Sequence, residues 1–106
     1  MVKPANDLER VRRLAANEAS CQFFEPVLRA LREHGLDTDD LRDIIVDELG
    51  EAHCFRSRPT ERYFPATVSD YYSYYLDVCG ARMSIKLLIN GDRLVVTSFK
   101  RDTRYV

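Results

Sequence analysis

The sequence predicts one α+β domain, with about three N-terminal helices packed on one face of a four-stranded, mainly antiparallel, twisted sheet. Apolar residues recur at helical spacing as far as residue 50 and at every second position from residue 52 onward. A chain of 106 residues buries roughly two thirds of the surface that its unfolded form exposes, which suffices for one two-layer core and excludes a Rossmann domain or a barrel. We therefore expect one domain over residues 1–106, with a helical half at 6–50, a sheet half at 52–100 and a polar tail at 101–106.

Helix caps and stops divide the first half into three helices. The first carries Leu8, Val11 and Leu14 on one face. The second begins at Pro26, a residue that suits a first helical turn, and ends at Gly35. The expected N-caps are Asn6 or Asp7 for the first helix and Asp37 or Thr38 for the third.

Alternating segments rich in Tyr, Phe, Val and Ile predict four strands in the second half. These strands cover residues 53–57, 69–79, 82–90 and 93–100. Asn90 and Gly91 tolerate positive φ and predict a tight hairpin, and Gly80 predicts a turn one strand earlier. The last three strands should therefore form an antiparallel meander, and residues 58–66 are expected to be the one long loop.

The same alternation predicts which side chains share a face of the sheet. The odd-numbered residues from Met83 to Ile89 should point toward the helices, so that Lys86 points away from them. If Gly80 and Ala81 form a two-residue turn, Tyr75 lies directly across from Lys86. We call the sheet surface that faces away from the helices the open face, and we expect it to bear Tyr71, Tyr75, Ser84, Lys86, Thr97 and Phe99.

Cations are expected at the margins of the open face. Phe55 is the better core residue of the first strand, which points Arg56, and Arg58 with it, outward. Lys100 has the parity of the core face, but it lies at a strand end, where twist or a bulge would turn it toward the open face.

Charge is distributed unevenly along the chain. Residues 1–50 carry 7 basic and 11 acidic side chains, whereas residues 51–106 carry 9 basic and 6 acidic ones. A cationic, aromatic sheet surface suits single-stranded RNA, because Lys and Arg neutralise phosphates and aromatic rings stack on unpaired bases. The alternative is that the tyrosines only favour strand structure and the cations only keep an exposed sheet soluble.

The sequence predicts neither a metal site nor a cofactor site. Cys21, Cys54 and Cys79 are widely spaced, without a C-x-x-C pair, and are best interpreted as reduced structural thiols. His53 shares the parity of the inner face, and His34 ends a helix, so neither is a strong acid-base candidate. No apolar segment is long enough for a membrane span and the first residues are too polar for a signal peptide, so we expect a cytoplasmic protein without membrane contact.

Three segments resemble the motility quorum-sensing regulator (MqsR) toxins, which belong with the RelE-like bacterial ribonuclease toxins. The segments are Phe55-Arg56-Ser57, Ser84-Ile85-Lys86-Leu87 and the run from Leu94 to Lys100, and the likeness covers residues 36–102. The resemblance implies a RelE-like α+β fold. It also implies cleavage of single-stranded mRNA without a metal, and a partner antitoxin protein that neutralises the toxin.

The resemblance also implies a set of site residues. Arg56, Lys86 and Lys100 match cations of the family motifs, with Arg56 and Lys100 on phosphates and Lys86 stabilising charge or exchanging a proton. Ser84 stands where the family has a tyrosine, and Tyr75 is the candidate to replace that hydroxyl. The RNA-binding residues expected beside them are Arg58, Tyr71 and Phe99.

Two other functions fit the same residues. One is a non-catalytic RNA- or protein-binding domain with a toxin-like sheet. The other is a homodimer in which the open face and the first helix form the interface.

Overall fold

The computed structural model describes residues 2–105 and confirms the α+β class. The helices are α1 (Leu8–Ala15), α2 (Glu25–Glu33) and α3 (Thr38–Asp47). The strands are β1 (Cys21–Phe23), β2 (Cys54–Pro59), β3 (Val68–Leu76), β4 (Ala81–Asn90) and β5 (Arg93–Arg101). Within these residues no helix is long and apolar enough to cross a membrane.

The sheet has five strands in the order β1-β5-β4-β3-β2, one more than the predicted four. The additional strand, β1, runs parallel to β5 and pairs Cys21 with Leu94 and Phe23 with Val96. The other neighbours are antiparallel, as predicted. Alternation did not indicate β1 because a three-residue strand directly before a helix is too short to show a period of two.

The helices cover one face of the sheet and form the core with it. The helices contribute Val11, Val27, Leu31, Leu41 and Ile45, all at most 1% exposed. Opposite them lie Tyr72, Met83, Ile85, Leu87, Leu94 and Val96. The predicted inward set of β4 is thus confirmed for its buried members, with Ile89 partly buried at the edge of the same core.

The predicted N-cap of α3 and the predicted end of α2 at Gly35 are both confirmed. The Asp37 carboxylate accepts a hydrogen bond from the Asp40 backbone N–H at 2.9 Å, and the Asp40 carboxylate accepts one from the Asp37 backbone N–H, so α3 begins with a capping box. Gly35 follows α2 with a φ of +69°, which a glycine adopts without strain.

The segment before α1 differs from the prediction. Asp7 occupies the N-cap position, but its side chain makes no capping hydrogen bond. Asn6 instead bonds across to the sheet, donating from Nδ2 to the Val68 carbonyl at 2.9 Å and to the buried Asp70 carboxylate at 2.8 Å. Asn6 therefore links the start of α1 to β3 by hydrogen bonds and does not cap the helix.

The β3–β4 hairpin has a longer turn than predicted. Residues 77–79 form a 3-10 turn and Gly80 follows with a φ of +64°, so the first pair is Leu76 with Ala81. The register therefore shifts by four residues. Tyr71, and not Tyr75, lies across from Lys86, and Tyr75 pairs with Arg82 near the turn. Because four is an even number, every β3 side chain keeps its predicted face.

A bulge in β5 decides the position of two predicted site residues. Leu87 pairs with Val96 and Lys86 with Ser98, which leaves Thr97 as the extra residue. Beyond the bulge the parity is reversed. Phe99 pairs with Ile85 and is buried in the core at 3% exposure, so its predicted place on the open face is wrong. Lys100 pairs with Ser84 and is exposed, as a bulge at this strand end was expected to allow.

A second irregularity, in β2, corrects the position of Phe55. Cys54 pairs with Tyr72 and Arg56 with Tyr71, so Phe55 is the additional residue between two successive pairs. Cys54 takes the core position at 4% exposure. The Phe55 ring lies instead near Tyr71, with 6.0 Å between ring centroids, on the open face.

Candidate nucleic-acid interface

One row of cross-strand pairs forms the centre of the open face. Arg56 on β2 pairs with Tyr71 on β3, and Tyr71 pairs with Lys86 on β4. The Lys86 Nζ lies 5.2 Å and the Arg56 guanidinium carbon 5.6 Å from the centroid of the Tyr71 ring. Two cations within this distance of one aromatic ring interact favourably with its π face and fix its position.

A second row lies two residues further along the strands. Ser73 pairs with Ser84, and Ser84 pairs with Lys100. Both serines are nearly buried, at 2% and 7% exposure, whereas Lys100 is exposed. A depression of about 160 Å³ joins the two rows, and Arg56, Tyr71, Ser84 and Lys100 are among its lining residues.

The chain after β5 folds back onto this depression instead of forming a free polar tail. Asp102 is buried, with 4% of the residue exposed. Its carboxylate accepts hydrogen bonds from Ser73 Oγ at 2.6 Å and from Arg104 Nη2 at 2.8 Å. These bonds, led by those from Arg104, hold the pKa of Asp102 well below its usual range. Asp102 in turn places the Arg104 guanidinium 3.4 Å from the centroid of the Phe55 ring. Of the predicted polar tail over 101–106, Asp102 is buried and Arg104, although exposed, lies against the open face.

We name Phe55, Arg56, Tyr71, Lys86 and Arg104 the cation–aromatic cluster. It brings together three strands and the chain after β5, and it presents three cations and two aromatic rings on one surface. Phosphate groups and unstacked bases are the ligands that such a surface recognises.

A larger cavity, of about 380 Å³, lies beside the cluster and shares Tyr71 and Lys86 with it. It is also lined by the end of β2 and the segment that follows, where Arg58 on β2 forms an ion pair with Glu61 at 3.6 Å. Strand β2 extends to Pro59, so the predicted loop at 58–66 begins two residues later. The remaining lining residues are Phe24, Pro26, Pro59, Thr60, Arg62, Tyr63 and Thr97.

Five of the seven site residues expected from the sequence line the depression or the cavity of the open face: Arg56, Arg58, Tyr71, Lys86 and Lys100. Tyr75 has the right parity but lies near the β3–β4 turn, four residues from Tyr71 and 50% exposed. Phe99 belongs to the core. Sequence reasoning missed Arg104, because a short Asp-Thr-Arg segment after a strand is too common to indicate a folded-back chain.

The histidines and cysteines take no part in the open face. His53 Nδ1 accepts a hydrogen bond from the Gly50 N–H at 2.9 Å, and its ring packs edge-on against Tyr74, 5.2 Å away. The His34 ring faces Phe99 in the covered layer. Burial raises the pKa of Cys21 to about 11, so that thiol is protonated at neutral pH. Within residues 2–105, no three His, Cys, Asp or Glu side chains are placed to hold a metal ion.

The chain finds no match among the models of known protein families or among the curated proteins. A function is therefore inferred from the open face itself. Its groups are guanidinium, ammonium, phenol and aliphatic hydroxyl. These groups can neutralise a phosphate, stack on a base and, for the phenol and the ammonium, exchange a proton.

Proposed function

We propose that this protein is an endoribonuclease that cleaves single-stranded RNA without a metal ion, with the cation–aromatic cluster as its site. The observation that carries the proposal is the Tyr71 ring, placed between Arg56 and Lys86 in one row across three strands. This row combines a proton-bearing hydroxyl with two cations that both lie within about 6 Å of the centroid of the same ring. The resemblance of the same segments to RelE-like ribonuclease toxins agrees with it.

The reaction joins the ribose 2′-oxygen to phosphorus and breaks the bond between phosphorus and the 5′-oxygen. The 2′-hydroxyl proton must leave, and the departing 5′-oxygen must receive one. Tyr71 and Lys86 are the members of the row that exchange protons, whereas the Arg56 guanidinium stays charged and neutralises the phosphate oxygens. Lys100, one row away, binds a flanking phosphate. The products are a 2′,3′-cyclic phosphate and a free 5′-hydroxyl.

A second function, RNA binding without cleavage, is favoured by one specific feature. Ser84, at 7% exposure, stands where the resembling family has a tyrosine, so the open face has one phenol fewer near Lys86 and Lys100. If Tyr71 does not replace that phenol in the reaction, the same cations and rings bind RNA and leave it intact.

In a cell, we expect the ribonuclease to act as the toxin of a toxin–antitoxin pair in the cytoplasm. This role follows from the resemblance. Its expression should stop bacterial growth, and soluble Lys86→Ala protein should permit growth. A partner antitoxin would bind the toxin and restore growth when both are expressed.

The proposal is tested by incubating a long single-stranded RNA with the purified protein and a metal chelator. We expect cleavage with 2′,3′-cyclic phosphate ends. Arg56→Ala and Lys86→Ala proteins of verified fold should cleave at least 100-fold more slowly, as enzymes do when a group that stabilises the transition state is removed. Salt-sensitive binding without cleavage would instead support the second function. If the protein neither cleaves nor binds RNA, both proposed functions are overturned.

A further inference from the structure

The cavity beside the cluster has a folded wall. Residues 60–67 are closed by a hydrogen bond from the Thr60 N–H to the Thr67 carbonyl at 3.0 Å. The Thr67 hydroxyl donates to Thr60 Oγ1 at 2.9 Å, and Thr60 Oγ1 lies 2.8 Å from the Ser69 hydroxyl on β3. Phe64 and Ala66 both have positive φ, +55° and +65°, a conformation that only a well-determined loop imposes on residues other than glycine.

Aromatic rings line this cavity on two sides. The Phe24 ring, at the start of α2, meets the Tyr63 ring edge to face with 5.3 Å between centroids. The Tyr71 ring forms part of the floor, next to Lys86 and Thr97. A volume of about 380 Å³ with aromatic walls has the size of a small-ligand pocket and suits a flat ring.

The cavity carries an exposed carboxylate, whereas the Asp102 carboxylate of the depression is buried and accepts hydrogen bonds from Ser73 and Arg104. Glu61 lines the cavity with an exposed side chain, and its carboxylate lies 3.6 Å from the Arg58 guanidinium. A carboxylate repels phosphates, so its presence within a cationic surface is not explained by phosphate binding. It accepts hydrogen bonds and cannot donate them.

We propose that this cavity holds one nucleobase of the bound RNA and that Glu61 selects a base with an exocyclic amine over uracil. The inference rests on the proposed function of the open face, whose Tyr71 and Lys86 the cavity shares. Cytosine, adenine and guanine all offer amine protons to a carboxylate. Uracil offers only a single N–H, and the carbonyl oxygens on either side of it repel a carboxylate that accepts this proton.

The test compares two pyrimidines of equal size. Nonamers of 2′-O-methyl oligo(C) and oligo(U) carry the same number of phosphates and lack the 2′-hydroxyl nucleophile, so they are bound but not cut. We expect the parent protein to bind oligo(C) roughly 5-fold or more tightly than oligo(U) in fluorescence anisotropy, since one discriminating base contact is worth that factor. Glu61→Gln, whose amide also donates, should reduce the ratio to within twofold.

Glu33→Gln is the matched control, because it removes the same charge from an exposed position in α2 outside the cavity lining. It should keep the preference for oligo(C). Equal, salt-sensitive binding of both oligomers by the parent would overturn the base-selection inference and leave the proposed function standing. A preference that survives in Glu61→Gln would likewise overturn it. Binding of neither oligomer would overturn the proposed function as well.

Discussion

The two faces of the sheet use the same strands for opposite purposes. On the covered face, Tyr72, Ile85 and Leu87 are fully buried against the helices and form one continuous apolar core. On the open face, the residues directly beside them in sequence, Tyr71 and Lys86, belong to the cation–aromatic cluster. Adjacent residues can therefore have separate tasks, since one stabilises the fold and its neighbour lies on the surface that we propose as the RNA site.

The open face is itself divided. Leu88 and Val95, a cross-strand pair on this face, are fully buried yet lie outside the main core. The hydrogen bond between Thr60 and Ser69 ties the loop to the same end of the sheet. The surface left for a ligand is thus limited to the cluster, the depression near Lys100 and the cavity beside the loop.

The largest difference between the two faces is expected in the unfolding free energies of variants at two neighbouring residues in β4. Leu87→Ala removes a fully buried side chain and should lower the free energy of unfolding by roughly 2–5 kcal/mol. Lys86→Ala removes a cation above the Tyr71 ring and should lower it by no more than about 1 kcal/mol. Urea unfolding followed by circular dichroism measures both. Equal losses would show that the two faces are not separable.

Asp102→Asn tests whether the chain after β5 is part of the folded surface. Loss of charged hydrogen bonds to Ser73 and Arg104 should cost roughly 1–3 kcal/mol at pH 7. Because the pKa of Asp102 is lowered in the folded state, its contribution is fully present above the ordinary aspartate pKa, near about 4, and is lost as the pH falls through the lowered value. Urea midpoints of parent and variant should therefore differ at pH 7, and the difference should shrink progressively as the pH falls below about 4. A difference that does not depend on pH contradicts this account.

The corrected register predicts which tyrosine contacts RNA. Tyr71→Ala should weaken binding of a single-stranded 2′-O-methyl RNA by about 1–3 kcal/mol, the range for loss of one stacking side chain. Tyr75→Ala, on the same strand and face but paired with Arg82, should leave the affinity within twofold. If Tyr75→Ala weakens binding and Tyr71→Ala does not, the result would contradict this register and favour the predicted two-residue turn, which places Tyr75 across from Lys86.

The smallest effect is expected at the margin of the open face. Lys100→Gln removes one exposed cation next to Ser84 and should reduce the slope of log affinity against log salt concentration by about 0.7 for a single strand. Lys3→Gln, before α1, is the control and should not change the slope. Titrations at several salt concentrations measure both, and an unchanged slope for Lys100→Gln would remove this residue from the RNA path.

The covered face could be predicted from the sequence because burial imposes a strict period. Met83, Ile85 and Leu87 alternate with the polar residues Arg82, Ser84 and Lys86, and this alternation defines the direction of these side chains in β4. The N-cap at Asp37 and the glycine at position 35 are local signals, and they were sufficient to predict where α3 begins and where α2 ends.

The open face could be predicted only in part because it depends on irregularities. The bulges at Phe55 and Thr97 each add one residue and reverse the parity beyond it. The bulge at Thr97 moves Phe99 into the core and, as expected for this strand end, turns Lys100 to the open face. The turn at 77–80 moves the partner of Lys86 from Tyr75 to Tyr71. Bulges and turn lengths depend on contacts between distant parts of the chain, so the alternation of apolar and polar residues does not predict them.

The lysines of this chain allow the central claim, that RNA binds the open face and not the covered layer, to be tested directly. There are three: Lys3 before α1, and Lys86 and Lys100 on the open face. Methylation with a ¹³C label keeps their charge, and each signal can be assigned from a Lys→Arg variant. On titration with single-stranded 2′-O-methyl RNA, the signals of Lys86 and Lys100 should shift with one common affinity while that of Lys3 stays in place. A shift of Lys3 alone, or saturation without any shift at Lys86, would contradict the account.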